Sequence, residues 1–302
     1  MAVAGHELTH LTEFTFSPDR TKLVAVEACR RAGLDPAGMV LLRHQTNAVY
    51  QLATAPVVVK VVRPGIKHTE DVVRLVRWLT EQNVPTVPLL DIEQPMRLAG
   101  CAVTLWRYLP QDQAISAADI AEPLLSLHSA KNVPLELPEL DALGMIRHSI
   151  EASTILSDDE RILLEEFFTD VRDRLSFVET SAPRLIHGDP QHRNTLWDND
   201  TQAAVLCDWE SAVFGPVEWD LVTIEVHCRR FGFAPEEYQQ FCRLYGRDVR
   251  EWSGYEVFKD LRELRMITTN ARKSARGTPQ AAEVHRRIAQ LGRNSASRWY
   301  IL

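Results

Sequence analysis

Hydrophobic positions along the chain change period several times, and each change marks an element. Ser17-Pro18-Asp19 supplies a capping residue, a first-turn proline and an early acid. Leu23, Ala25 and Val26 follow at helical spacing, and Gly33 closes the segment. The next stretches, MVLLRH, NAVYQLA and PVVVKVVRPG, are short, rich in β-branched residues and separated by turn-like breaks, the pattern of three strands in a meander. After Gly65 the spacing returns to three and four at Val72, Leu75, Val76 and Leu79, which predicts a helix over residues 68–82. VPLLDIE and CAVTLWRYL read as two further strands joined by a turn over residues 95–100. Beyond Pro110 the pattern is helical. One helix is expected over 117–130, with Pro123 weakening its first turns, and another from the capping box Ser157-x-x-Glu160 to about Phe177. Further helices run out to Leu302, the clearest over 255–269. Strands first and helices later is an α+β order in two lobes. The N-terminal lobe, residues 1–108, holds an antiparallel sheet with one inserted helix. A connector over about 104–111 leads to a larger, mainly helical C-terminal lobe over 112–302.

Chemistry concentrates in one stretch, RLIHGDPQHRNTLWDNDTQAAVLCDWESAVFGPVEWDL, residues 184–221. Asp189 and Asn194 lie in a polar, proline-containing loop. Residues 194–197 and 204–207 read as two strands around the turn sequence Asp198-Asn199-Asp200, a hairpin expected to return Asp208 close to Asn194. An acid beside an amide is a hard-oxygen pair suited to Mg²⁺, which takes few protein ligands and fills its shell with water and phosphate oxygens. Asp189, set slightly apart, is placed to accept a hydroxyl proton. One base, one amide and one metal-holding acid are what phosphoryl transfer uses.

Composition narrows the alternatives. The 302 residues are 45% hydrophobic and 25% charged, ordinary for a folded chain with a sizeable core. A net charge of −7 and a pI of about 5.8 argue against nucleic acid as a partner. The charge is uneven, because from Glu251 onward Arg and Lys outnumber Asp and Glu. No apolar window is long enough to span a bilayer, and MAVAGHELTHLTEF lacks a signal-peptide core, so a cytoplasmic location and no membrane partner are expected. Five scattered cysteines with no C-x-x-C pair read as reduced, mostly buried thiols.

H-G-D-x-x-x-x-N, followed by D-W-E and then G-P-x-x-x-D-L, resembles the aminoglycoside phosphotransferase and choline kinase family, a branch of the protein-kinase-like fold. The resemblance covers nearly the whole chain. It implies transfer of the ATP γ-phosphate to the hydroxyl of a small molecule, with Mg²⁺. The acceptor would be an aminoglycoside or other antibiotic, which would make the enzyme a resistance factor, or a metabolic alcohol such as an amino sugar, choline or homoserine. It further implies Asp189 as catalytic base and Asn194 and Asp208 as metal ligands. Lys60 in VVVKVV would be the phosphate-contacting lysine, and Trp106 and Tyr108 would belong to the hinge against which adenine sits. Glu210 matches the final acid of a D-x-E variant, a metal contact or a structural group. Asp220 matches the acid that braces the catalytic loop, and Leu127-His128 a pair common in the helix after the hinge.

The sequence also departs from that pattern. Arg193 replaces a glycine often found before the asparagine, and reads either as a solvated loop residue, like His192, or as a substrate contact. His187 reads as structural. The position expected to carry the glutamate partner of Lys60 is Val72, with Glu70 and Asp71 nearby but out of register. No G-x-G-x-x-G marks the first hairpin, whose turn is His44-Gln45-Thr46-Asn47. As a bland alternative, Lys60 could be an edge-strand lysine. Glu218, Glu225, Glu236 and Glu237 read as a solvated helical face or, alternatively, as an acidic rim for a cationic amine. The basic run Arg272-Lys273-Ser-Ala-Arg276 reads as a solvated helix end or as an attractor for an anionic substrate. Two rival functions stay open, a metal-dependent phosphoesterase and a nucleotide-binding pseudoenzyme.

Overall fold

The computed structural model describes residues 15–66, 68–292 and 297–300. The N-terminal stretch read above for a signal peptide and the last two residues lie outside them. In order, the elements are α1 (Pro18–Arg31), β1 (Val40–His44), β2 (Asn47–Gln51), β3 (Val57–Val62), α2 (Thr69–Glu81), β4 (Met96–Leu98), β5 (Cys101–Arg107), α3 (Ala117–Ser129), α4 (Ala142–Ala152), α5 (Asp158–Leu175), β6 (Arg184–Ile186), β7 (Thr195–Asp198), β8 (Ala203–Leu206), β9 (Val213–Gly215), α6 (Val217–Phe231), α7 (Pro235–Tyr245), α8 (Tyr255–Lys273) and α9 (Pro279–Ile288). They fall into two compact units. One takes the described residues up to Ala114 together with Leu196–Glu210; the other takes Ile115–Thr195 and the described residues from Ser211 onward.

The first unit is built on a five-stranded antiparallel sheet in the order β1-β2-β3-β5-β4. β3 is central because VVVKVV buries both of its faces. Val57, Val59 and Val61 alternate onto one face and join Tyr50, Val103 and Leu105 in a core that Val24, Ala25, Ala28 and Cys29 of α1 close. Lys60, one position out of phase, therefore points to the opposite face. At the start of α1 the Ser17 side chain makes no cap. Thr21 Oγ1 instead donates to Ser17 O at 3.0 Å, and Tyr50 Oη donates to Pro18 O at 2.9 Å, which ties β2 to the first turn. Leu23, counted above among the periodic positions, is exposed, and Val24 and Ala28 carry the packing.

The strand expected at VPLLDIE is a correction. Pro88 removes a ladder donor, and the segment makes only an isolated bridge, Leu89 with Trp106. The fourth strand is instead Met96–Leu98, within the stretch expected to be a turn; it pairs with β5 across Ala99-Gly100, both at positive φ.

The second unit is mainly helical. The capping box at Ser157 and Glu160 opens α5, and a second one at Ser116 and Asp119 opens α3. α3 runs unbroken through Pro123, which is buried. β6 and β9 form a short antiparallel pair. α6 is buried over almost its whole length and carries the second unit's core. Glu218 and Glu225 are buried with it, contrary to the solvated face expected. Glu218 accepts from Ser181 Oγ at 2.7 Å and pairs with Arg247, and Glu225 pairs with Arg229. Glu236 is exposed and Glu237 half-buried.

Candidate active site

In the second unit, β6 ends at Ile186 and delivers a loop that the first turn of α6 grips. Asp220 is fully buried and accepts the backbone N–H groups of His187 at 2.7 Å and Gly188 at 2.9 Å. His128 Nε2 lies 3.1 Å from the same carboxylate, and its Nδ1 lies 2.8 Å from Tyr245 Oη. Trp219 Nε1 donates to Gly188 O at 2.9 Å. Gly188 sits at φ +80°, and a Cβ there would lie 2.2 Å from Ser211 O, so only glycine fits. Asp220 thus meets two backbone donors and a histidine. His187 is wholly buried within this loop.

The loop presents Asp189. Its Oδ1 is paired with Arg262 Nη2 of α8, and its Oδ2 accepts from Gln191 Nε2 at 2.8 Å and Asn194 Nδ2 at 3.2 Å. Asn194 Nδ2 also donates to Asp189 O at 2.9 Å. Burial works against ionisation of Asp189, but the charge and hydrogen bond of Arg262 outweigh it and hold the carboxyl below its ordinary range. His227, buried beside this pair, is driven by burial to about 3 and is neutral near pH 7. Arg262 also lies 5.3 Å from the centroid of Trp219. Arg262, Gln191 and His227 escaped the sequence reading. The available signal was Arg262 itself, four residues after Phe258 and next to Leu261 on a face otherwise given to core residues. Arg193 is exposed, whereas His192 stacks on Phe233 with ring centroids 3.8 Å apart.

In the first unit, Lys60 is 9% exposed on a central strand, so the edge-lysine reading is excluded. Its Nζ donates to Asp208 Oδ1 at 2.9 Å and to Glu210 Oε1. Burial alone would favour loss of the lysine proton; Glu210 and Asp208 reverse this and lift the ammonium above its ordinary value. Of the two acids, burial raises Glu210, while for Asp208 the nearby Lys60 outweighs burial and lowers it, so Asp208 is the stronger acid of the pair. Asp208 adopts φ +66°, a left-handed conformation at the end of β8 that aspartate tolerates better than most residues. The partner of Lys60 therefore comes from the end of the hairpin and not from α2. Glu70 pairs with Arg97 and Asp71 with Arg74, and Val72 is buried.

Trp106 and Tyr108 are half-buried. Trp106 packs against Val87, Leu109 and Val205, and its Nε1 donates to Thr104 Oγ1 at 2.8 Å. The Tyr108 N–H donates to Pro56 O at 2.8 Å. Among the described residues no three His, Cys, Asp or Glu side chains converge on a common point.

The profile of the phosphotransferase enzyme family matches residues 40–258. The chain belongs to that family. This phosphotransferase is also similar in fold to solved kinases at low identity. An amicoumacin kinase in complex with AMP-PNP, Ca²⁺ and amicoumacin superposes with a TM-score of 0.70 at 13% identity, over 93% of this chain and 97% of that one. A choline/ethanolamine kinase family protein from Mesorhizobium loti gives 0.66 at 18% identity, over 90% and 92%. A spectinomycin phosphotransferase in complex with ADP and spectinomycin gives 0.67 at 14% identity, over 90% and 94%. No curated protein matches the chain. The mixed architecture, an antiparallel sheet unit followed by helices, is that of the protein-kinase-like phosphotransferases. No helix among the described residues is long and apolar enough to cross a membrane.

Proposed function

We propose that this phosphotransferase moves the γ-phosphoryl group of ATP to the hydroxyl of a small molecule, with Asp189 orienting the acceptor and Lys60 holding the phosphates. The observation that carries the reading is the state of Asp189, ionised and fixed through both oxygens at the tip of a braced loop. A carboxylate held below its ordinary range is a poor proton abstractor in the ground state. It suits a loose phosphoryl-transfer transition state, in which the nucleophile must be aimed more than deprotonated. The acceptor oxygen attacks phosphorus in line as the bond to the β-phosphate oxygen breaks. ADP leaves, and the hydroxyl proton passes to Asp189 and then to water. Lys60 already carries its charge among carboxylates, and phosphate oxygens are a substitute of the same sign.

The donor set fits Mg²⁺. Both Asn194 Nδ2 bonds go to Asp189, which leaves Asn194 Oδ1 as the acceptor side of that amide. Asp208 is held as an anion, and Glu210 lies within reach of the same lysine. The motif resemblance makes Asn194, Asp208 and Glu210 the residues that would supply oxygen donors to the ion, with phosphate and water as the rest of its shell, as Mg²⁺ prefers. When bound, the ion neutralises charge that develops on the transferring group. The absence of a third converging His or Asp ligand among the described residues leaves the dinuclear phosphoesterase reading without support. The carboxylates beside Lys60 remove the reason for the pseudoenzyme reading, which rested on Val72.

The similar structures include kinases of antibiotics and a member of the choline/ethanolamine kinase family. The acceptor thus lies between antibiotic inactivation and metabolic phosphorylation. ADP release, coupled to a reporter enzyme and screened across antibiotics, amino sugars, amino alcohols and hydroxy acids, tests the activity. With an accepted substrate, Asp189→Asn is expected to lower kcat by about 10²–10⁴ while ATP binding stays near wild type. An unchanged kcat in that variant removes Asp189 from its role.

A further inference from the structure

α8 carries a row of arginines of which the mechanism above uses only the first. Arg262, Arg265 and Arg272 are spaced by three and seven, so they share one face of the helix. They grade outward from Arg262, buried and paired with Asp189, through Arg265, half-buried, to Arg272, exposed.

Arg265 is the informative member. Its Nη2 lies 3.8 Å from Met145 Sδ of α4, a weak acceptor, and no carboxylate among the described residues is within salt-bridge distance of it. Its charged neighbours are Arg262 and Arg272, both of like sign, and the opposite charge that reaches it is that of Asp189, already engaged by Arg262. Burial and those two cations pull its pKa down to about 10, the mark of a guanidinium short of counter-charge. A partly desolvated cation of this kind is costly unless an anion meets it. Two of the acids expected to make a cationic-substrate rim, Glu218 and Glu225, are buried in ion pairs of their own.

We propose that Arg265, with Arg272 beyond it, receives an anionic oxyacid group of the acceptor, a carboxylate or a phosphate, one helical turn from the arginine that holds Asp189. The acceptor class is then a hydroxy acid or a sugar phosphate and not a polycationic aminoglycoside. Guanidinium matches either group through paired N–H donors. The inference rests on the phosphotransferase reading only in calling the bound anion an acceptor.

Two measurements separate the inference from that reading. In the first, ADP release is followed with L-homoserine, D-glycerate and ribose 5-phosphate, against choline, kanamycin and glycerol, at constant ionic strength. An anionic acceptor is expected to give the highest kcat/KM. Arg265→Met is expected to raise its KM at least tenfold, with kcat and the KM for ATP within about threefold of wild type, and Arg265→Lys should recover part of the loss. The carboxylate and sugar-phosphate arms identify which group is bound. A higher kcat/KM for choline, kanamycin or glycerol overturns the anionic class and leaves the kinase reading intact. In the second, melting temperature is measured in sodium malonate and sodium phosphate against sodium chloride of equal ionic strength. Stabilisation of the wild type that Arg265→Met lacks sustains the anion site even if no acceptor in the panel is phosphorylated, in which case the kinase reading is what fails. Equal shifts in wild type and Arg265→Met overturn the site itself.

Discussion

At the scale of single residues, the charge of a side chain here is decided by its immediate partners. Lys60 keeps its proton at a buried position because two carboxylates meet it there. Removing one member of such a set strands the others. Lys60→Ala is therefore expected to raise the KM for ATP by an order of magnitude or more while leaving acceptor affinity alone. Glu70→Ala, which frees only Arg97, is expected to leave ATP kinetics unchanged. Steady-state kinetics with ATP and acceptor varied separately decide this, and an ATP defect in Glu70→Ala equal to that of Lys60→Ala would contradict the pairing. The pairing itself was hidden in the sequence. Asp208 lies 148 residues from Lys60, and nothing in local periodicity connects a central strand to the far end of a later hairpin. Arg262 was hidden for the same reason, 73 residues beyond the aspartate it holds.

At the scale of elements, local patterns were legible wherever one segment decided its own structure. The capping box at Ser157 and the period of α2 predicted their helices closely. The three-strand meander was legible for the same reason. The fourth strand was misplaced because apolar VPLLDIE outweighed its proline, Pro88, in the reading, whereas backbone donors decide a ladder. The turn at Gly188 tests how much a single backbone position matters. An alanine there would require a left-handed φ and place its Cβ against Ser211 O. Gly188→Ala is expected to cost roughly 1–3 kcal/mol from backbone strain alone and to lower kcat by displacing Asp189. Denaturant unfolding read together with kcat checks both effects, and wild-type values for each would show that the loop relaxes freely. Helix packing supplies another test. Glu263 of α8 binds Arg229 and Arg230 of α6. Burial resists its ionisation, but the bonds from Arg230 and the charge of Arg229 prevail and lower its pKa below the unfolded value. Its contribution to stability is then complete above the unfolded glutamate value and is lost as pH falls through the folded one. Glu263→Gln is expected to be less stable at pH 7 and to lose less stability than wild type between pH 5 and pH 3. Parallel melting curves across that range would exclude the linkage.

At the scale of the whole molecule, net charge is a poor guide to the site. The chain carries −7 overall, yet Glu218, Glu225 and Glu263 are spent in buried ion pairs, and the face of α8 nearest Asp189 is basic. Counting residues captures the first fact and misses the second. The same holds for the metal. The candidate oxygen donors Asn194, Asp208 and Glu210 lie within one short stretch, residues 184–221, and are lost in any count over the whole chain. A ligand that binds only the folded chain should report on its donors through linkage. At a hundredfold excess over Kd, binding contributes about 2.7 kcal/mol to stability. Mg·ATP is accordingly expected to raise the melting temperature of the wild type by several degrees, and ATP with a chelator by much less. In Asp208→Ala the increment that depends on Mg²⁺ should disappear while a smaller ATP increment, carried by Lys60, persists. The comparison uses increments within each protein, so any change in the intrinsic stability of the variant cancels. If Asp208→Ala keeps the full Mg²⁺-dependent increment, the ion is held by other donors and the assignment of Asp208 is wrong.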